Sequence, residues 1–273
     1  MVIDSHAHYE HSRYNQDRDR LLKSMPSNGV ELIINVGCCL PSSQDSIKLA
    51  EAYPHVYATV GVHPHEAKTL SDKGLTTMAG LCAHKKVVAL GEIGLDFYHD
   101  FSPRDVQRHW FARQLELAHE LDMPVVIHSR EANSEVFNTI KKSPVRRGVI
   151  HSFSGDRALA LAYVDLGFHI GVSGVVTYDK TNTLQNAVAA IPLEKILMET
   201  DAPYLTPVPF RGKRNQSQYL VHVAEAIATI KGVSAKDVCL QTAANVKTLF
   251  NNLNGVPLQI PLPLPSGSGV ATF

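Results

Sequence analysis

Cysteine, long apolar runs and net charge are what this chain has least of. Its 273 residues include four cysteines, Cys38, Cys39, Cys82 and Cys239, and no Cys-x-x-Cys pair. That argues against a disulfide framework and for a reduced, cytoplasmic chain, with adjacent Cys38 and Cys39 as small packing residues. No apolar run approaches the roughly 20 residues a membrane span needs. The first residues lack a basic segment followed by an apolar one, so no signal peptide is expected. Lys+Arg and Asp+Glu both number 26, giving zero formal charge. Such balance excludes a protein that coats long duplex DNA by phosphate neutralisation alone. It leaves room for a nucleic-acid enzyme whose positive charge is local or carried by bound metal. No G-x-G-x-x-G follows the first apolar run, which removes the usual dinucleotide fingerprint.

What is present is a hydrophobic share of 44%, ample for a sizeable core, and 14 histidines. Short β-branched runs alternate with longer segments of helical spacing. Strands are expected at 1–4, 31–36, 57–62, 87–91, 124–127, 148–150, 169–171 and 195–198. Helices are expected at 17–28, 43–53, 74–84, 103–122, 131–141, 157–166, 181–190, 217–231 and 235–252. Ser102-Pro103 offers a cap and a first-turn proline, Asn28-Gly29 a helix end, and Ser234 with Asp237 an approximate capping box. In the helix at 103–122, Trp110, Phe111, Leu115, Leu117, Ala118 and Leu121 give an apolar face. Eight such units imply a single-domain (β/α)8 TIM-type barrel over residues 1–253, with an open doubly wound sheet as the alternative. Residues 254–273 are rich in Pro, Gly and Ser and carry no charged side chain. They read as an extension outside the core.

The polar residues then fall into register. In such a barrel chemistry sits at the C-terminal ends of the strands. The first apolar run leads into Asp4-Ser5-His6-Ala7-His8, where i and i+2 spacing aims two imidazoles the same way. The third leads into His63-Pro64-His65, the fourth into Glu92, the fifth into His128, the sixth into His151 and the eighth into Glu199-Thr200-Asp201. One histidine after a strand is most often an ordinary loop residue; a polar metal-ligand type at six of eight strand ends points to a cation. Glu92 has two oxygens with which to bridge two metals, His6, His8 and Asp201 completing one site and His128 and His151 the other. The mixed N and O donors suit two divalent ions, with Mg, Mn and Zn left open.

Six spaced motifs carry a resemblance: Asp4–His8, Gly61–Pro64, Gly91–Asp96, Pro124–Arg130, His151–Gly155 and Glu199–Leu205. In order from Val2 to about Leu253 they resemble the TatD family of metal-dependent deoxyribonucleases, within the amidohydrolase-like barrels. The resemblance implies that His6, His8, Glu92 and Asp201 hold one metal and that Glu92, His128 and His151 hold the second. It implies that Glu92 and Asp201 are catalytic, Asp201 orienting or deprotonating the attacking water. His63 is implied near the substrate phosphate. Arg130, Tyr204 and the stretch Arg211-Gly212-Lys213-Arg214-Asn215 are implied as substrate wall, with Arg211, Lys213 and Arg214 supplying local positive charge. The family commonly continues Arg-Asn with Glu-Pro; here Gln216-Ser217 follows, so a carboxylate and a rigid turn are missing. Phe97 stands where Tyr is frequent.

The implied reaction is hydrolysis of DNA phosphodiesters by attack of a metal-activated water, as a 3′-5′ exodeoxyribonuclease. Single-stranded or frayed ends are the expected substrate, because a narrow barrel mouth cannot enclose duplex. Two rivals share the pattern. A metal-dependent ester or amide hydrolase, for example on aminoacyl-tRNA, would keep the metals; many barrels of that superfamily bridge them with a modified lysine where Glu92 stands here. A non-catalytic metal-binding scaffold would have closed coordination. No membrane or protein partner is expected.

Overall fold

The structure, a computed structural model, describes residues 1–250 and Leu253. The 254–273 extension lies outside the described residues, as do the last expected helical positions, 251 and 252. Eight strands run in sequence: β1 (Val2–Ala7), β2 (Val30–Val36), β3 (Val56–Val60), β4 (Val87–Asp96), β5 (Val125–Arg130), β6 (Gly148–Ile150), β7 (His169–Val172) and β8 (Ile196–Met198). Neighbours pair in parallel in that order. The sheet curls until Ala7, at the end of β1, bridges to Ala202, beyond β8. The Asp201 N–H donates to the His6 carbonyl at 2.9 Å and the His8 N–H to the Ala202 carbonyl at 2.8 Å, drawing the two edges together. The expected (β/α)8 barrel is the fold.

The helices are α1 (Arg18–Ser24), α2 (Leu40–Ala52), α3 (Asp72–Cys82), α4 (Arg104–Glu120), α5 (Asn133–Lys142), α6 (Arg157–Asp165), α7 (Thr183–Ala190), α8 (Leu220–Lys231) and α9 (Ala235–Leu249). The apolar residues form two clusters. Ile3, Leu32, Ile34, Val36, Val88, Val126, Val149 and Leu197 pack with Ala243, Val246 and Leu249 of α9 and with Phe250. Leu32, Ile34 and Val36 alternate along β2, so one strand face points here. Among the described residues no helix but α9 contributes, which identifies this cluster as the barrel lumen with α9 plugging its floor. The other cluster joins the outer strand faces to the remaining helices, through residues such as Met78, Phe111, Leu115, Val136, Tyr163 and Ile227. Each such fully buried side chain stabilises the fold by about 1.5–3 kcal/mol.

Several bounds differ from expectation for local reasons. The first helix stops at Ser24 rather than Asn28, because Pro26 has no N–H to continue it. The chain instead makes a 3₁₀ turn, Pro26–Asn28, closed by Gly29 at φ 81°. Ser102 does not cap α4: its hydroxyl donates to the His65 carbonyl and accepts the Lys68 N–H, and Pro103 stands at the cap. Ser234 does cap α9, accepting the Asp237 N–H at 3.1 Å. Leu121, just past the end of α4, is exposed, while two glutamines of α4 are buried. Gln107 clamps the Asp96 backbone at both N–H and carbonyl, and Gln114 does the same to Val62.

The largest differences are at the mouth. β1 runs to Ala7, β4 to Asp96 and β5 to Arg130, several residues past their expected ends. Apolar patterning stops where polar side chains begin, yet the backbone ladder continues, so His6, Glu92 and His128 stand on strands rather than after them. Gly94, at φ 147°, lets β4 and β5 approach there: a Cβ at this position would collide with the His128 carbonyl oxygen.

Candidate metal centre

The ladder fixes the donors. His6 and Glu92 are buried strand residues, and His8 follows β1 directly, also buried. Asp201 takes the left-handed conformation at φ 55°, within a turn held by its own N–H on His6 and by the Tyr204 N–H on its carbonyl. The His6 and His8 Nε2 atoms lie 3.2 Å apart. His6 Nε2 is 3.4 Å from Glu92 Oε2 and 3.9 Å from Asp201 Oδ1, and His8 Nε2 is 3.4 Å from Asp201 Oδ1. The other Glu92 oxygen, Oε1, lies 2.8 Å from His128 Nδ1, 3.7 Å from His63 Nε2 and 3.9 Å from His151 Nε2. His151 Nε2 also sits 3.9 Å from Asp201 Oδ1. The six expected ligands thus form one connected cluster, with the two Glu92 oxygens facing different imidazoles; His6, His8 and Glu92 make one close donor group, and Glu92 and His128 make another with His63, while His151 lies close to His6 and Glu199.

Carboxylates outside that set orient the rings. His128 Nε2 lies 3.2 Å from Asp96 Oδ2, which also takes His65 Nε2 at 2.8 Å. His151 Nδ1 lies 2.9 Å from Glu199 Oε1. His8 Nδ1 donates to the Val36 carbonyl at 3.0 Å. That tautomer leaves the His8 Nε2 lone pair facing the Asp201 carboxylate and the His6 ring, an arrangement that requires a proton or a cation between them.

The protonation balance follows. Burial lowers the His6 pKa, assisted by the charge of His151. Burial also disfavours charge on His8, yet Cys38, followed by Asp201 and Glu10, holds its pKa well above the ordinary value. For His151 burial is again outweighed, by Glu199 and Glu92, and the pKa rises to about 9. Burial works against charge on Glu92, but His63, His151 and His6 keep its carboxyl well below the usual range. Asp201 is likewise lowered, His8 and His151 outweighing burial. The Glu92 and Asp201 carboxyls are thus held in their ionised form among several imidazole nitrogens. The donors present fit divalent ions of N/O preference.

A cleft of about 650 Å³ opens over these donors. His63, Arg130 and Tyr204 line it as expected. The Arg130 guanidinium sits 4.2 Å over the Tyr98 ring, and the Tyr204 hydroxyl is 3.3 Å from His11 Nε2. Arg211 and Arg214 are not brought to it. Arg214 makes a bidentate pair with Asp17 at 2.8 and 2.6 Å, and Arg211 lies 3.7 Å over the Tyr178 ring. Exposed Lys213 stands 5.4 Å over Phe210.

Asp96, Glu199 and His65 stand in the sequence motifs without an expected role, and Cys38 is expected only to pack. Asp96 is four residues past Glu92 on one strand, hence on the same face; that periodicity was available once β4 was known to continue. Cys38 is not simple packing: its Sγ lines the cleft 3.8 Å from His8 Nδ1 and 3.9 Å from Glu92 Oε2.

Comparison with known proteins agrees with this geometry. A family model described as TatD related DNase matches residues 3–251. The uncharacterized metal-dependent hydrolase YabD of Bacillus subtilis is 36% identical over 252 residues, 92% of this chain and 99% of the relative. The 3'-5' ssDNA/RNA exonuclease TatD of Klebsiella pneumoniae is 36% identical over 253 residues, covering 90% and 96%. The crystal structure of YJJV, a TatD homolog from Escherichia coli, superposes with a TM-score of 0.86 at 32% identity, covering 92% of this chain and 98% of that one. Motif order, barrel and clustered donors therefore converge, and the chain belongs to the TatD family of metal-dependent hydrolases.

Proposed function

We propose that this hydrolase cleaves phosphodiester bonds at 3′ ends of single-stranded or frayed DNA, using two divalent cations. The observation that carries the reading is Glu92, whose two oxygens face separate imidazole groups, His6 on one side and His128, His63 and His151 on the other. His6, His8, Glu92 and Asp201 would hold one ion, and Glu92, His128 and His151 the other. Divalent ions bound there would supply an acidified water and neutralise charge on the phosphoryl oxygens. Asp201, which faces His8 and His151, would orient the water and accept its proton. His63, whose Nδ1 accepts the His65 N–H, presents Nε2–H to the cleft beside Glu92 for contact with a phosphate oxygen. Arg130 adds a fixed cation at the rim.

The name of the Klebsiella relative supports both a single strand and 3′ polarity. DNA is the preferred substrate in this reading, and RNA is the comparison to run. A reducing, cytoplasmic location is supported by four unpaired thiols. The test is incubation of end-labelled single-stranded DNA and RNA with purified protein and Mn²⁺. Ladder shortening from the 3′ end is the expected result. Degradation by Glu92→Ala at the wild-type rate, or shortening from the 5′ end, contradicts the reading.

A further inference from the structure

Two strands bring no histidine or acid to the mouth in the sequence, β2 and β7. The end of β2 leads to Cys38. The loop after β7 walls a second recess, of about 370 Å³, which shares His128, Arg130, His151 and Asp201 with the main cleft. The metal donors therefore lie where two chambers of unequal size and different chemistry meet.

The main cleft is open and rimmed by aromatic side chains. Phe101 is 57% exposed and stacked with His99, and Tyr204 is 45% exposed. Such rings offer stacking surfaces to bases, worth about 1–3 kcal/mol each and tolerant of sequence. The recess differs. It is lined by the side chains of Ser152, Ser154, Thr181 and Thr183, with Val175 and Leu205 as its apolar part. Its outer wall is an ordered loop. Asp179 Oδ1 accepts from the Thr181 N–H and hydroxyl, and Oδ2 from the Leu184 N–H, which ties the loop to the first turn of α7. Ligand pockets commonly span about 300–1,000 Å³; this one, at the lower end, suits a single sugar-and-base unit and not two.

We infer that the hydroxyl-lined recess beyond β7 is the pocket for the 3′-terminal nucleoside, with the rest of the strand lying across the aromatic rim of the main cleft. The inference rests on the nuclease reading and deepens it. A recess with room for one nucleoside, walled by the loop after β7, favours a chain end over a chain interior, in keeping with end-wise cleavage. Hydroxyl groups suit a sugar, whose own hydroxyls donate and accept, while half-buried Val175 and Leu205 provide an apolar surface for the base.

The test fills the recess from two exposed positions outside the metal donors. Ser154→Trp and Thr183→Trp, each checked for unchanged Tm and metal content, are assayed as Mn²⁺-loaded full-length protein. Substrates are a single-stranded oligodeoxynucleotide, the same strand with a fluorescein-bearing 3′-terminal base, and bis(p-nitrophenyl) phosphate. The ratio of oligonucleotide cleavage to cleavage of the small diester is expected to fall at least about tenfold in both variants. The enlarged 3′ base is expected to block wild-type cleavage, and the same base at the 5′ end is not. Wild-type ratios in both folded variants, or indifference to the enlarged 3′ base, overturn the pocket assignment alone. Wild-type protein that cleaves the small diester but leaves every oligonucleotide intact overturns the nuclease reading, and the pocket with it.

Discussion

Asp96 holds the imidazole of His128 by its far nitrogen: Oδ2 is 3.2 Å from Nε2, while Nδ1 of the same ring points to Glu92 Oε1 at 2.8 Å. A carboxylate behind a ligand histidine fixes its tautomer and raises its basicity. Asp96→Asn keeps the shape but loses the charge. It is expected to weaken metal affinity by about 10–100-fold, with activity lost at limiting metal and largely recovered at excess. Metal titration followed by activity checks this; unchanged affinity would show that Asp96 only supports the fold.

Ser217 occupies a place where the family commonly has proline, and its environment explains how serine is used. Its hydroxyl donates to buried Asp4 Oδ2 at 2.6 Å, and its N–H, which proline lacks, donates to the Tyr9 hydroxyl at 2.9 Å. Ser217→Ala is expected to destabilise by about 1–3 kcal/mol, the usual loss for a buried charged acceptor deprived of a donor. Ser217→Pro is expected to cost more than the alanine change. Denaturant unfolding of both variants decides; a neutral or stabilising proline would mean that the loop rearranges freely.

Arg130 and Arg214 separate two roles that the sequence placed together. Arg130 lines the cleft; Arg214 is spent on Asp17, and that guanidinium, outweighing slight burial, holds the Asp17 carboxyl below its ordinary pKa. Arg130→Ala is expected to raise KM for single-stranded DNA by roughly 3–10-fold with little change in kcat. Arg214→Ala is expected to leave KM nearly unchanged and to lower stability slightly, as half-exposed ion pairs are weak. Steady-state kinetics of the pair tests this, and a larger KM effect at Arg214 would move the substrate path.

His169, at the start of β7, is 7% exposed, and burial lowers its pKa from 6.5 to about 4, with Lys195 adding to the effect. The unfolded chain therefore binds a proton between those values that the folded chain refuses, and stability falls as pH drops from about 6.5 to 4. The full contribution is about 3 kcal/mol. His169→Gln removes it, so the stability difference between wild type and variant should narrow by that order across the window. A constant difference, measured by chemical denaturation at several pH values, would contradict the assignment.

The barrel was legible because buried strands leave dense apolar runs and helices leave periodic ones, as β2 and α4 do. The donors were legible because they follow those runs. Less visible was how far the strands continue. β4 carries Glu92, Gly94 and Asp96 within its ladder, and a polar residue ends an apolar pattern without ending a strand. That hid Asp96 behind His128; Glu199 follows β8 directly, and its pairing with His151 across the mouth depends on the closed fold. Arg214 shows the converse: a cation in the right motif is claimed by Asp17, a partner 197 positions away, which no local pattern reveals.

In the proposed site Glu92 bridges two metal ions. The most direct test of that bridge is metal stoichiometry by inductively coupled plasma mass spectrometry on Mn²⁺-equilibrated wild-type and Glu92→Ala protein, with nuclease activity measured on the same samples. The expected result is about two ions per wild-type chain, loss of at least one in Glu92→Ala, and cleavage by the wild type only. Full metal retention by Glu92→Ala together with wild-type cleavage would contradict it.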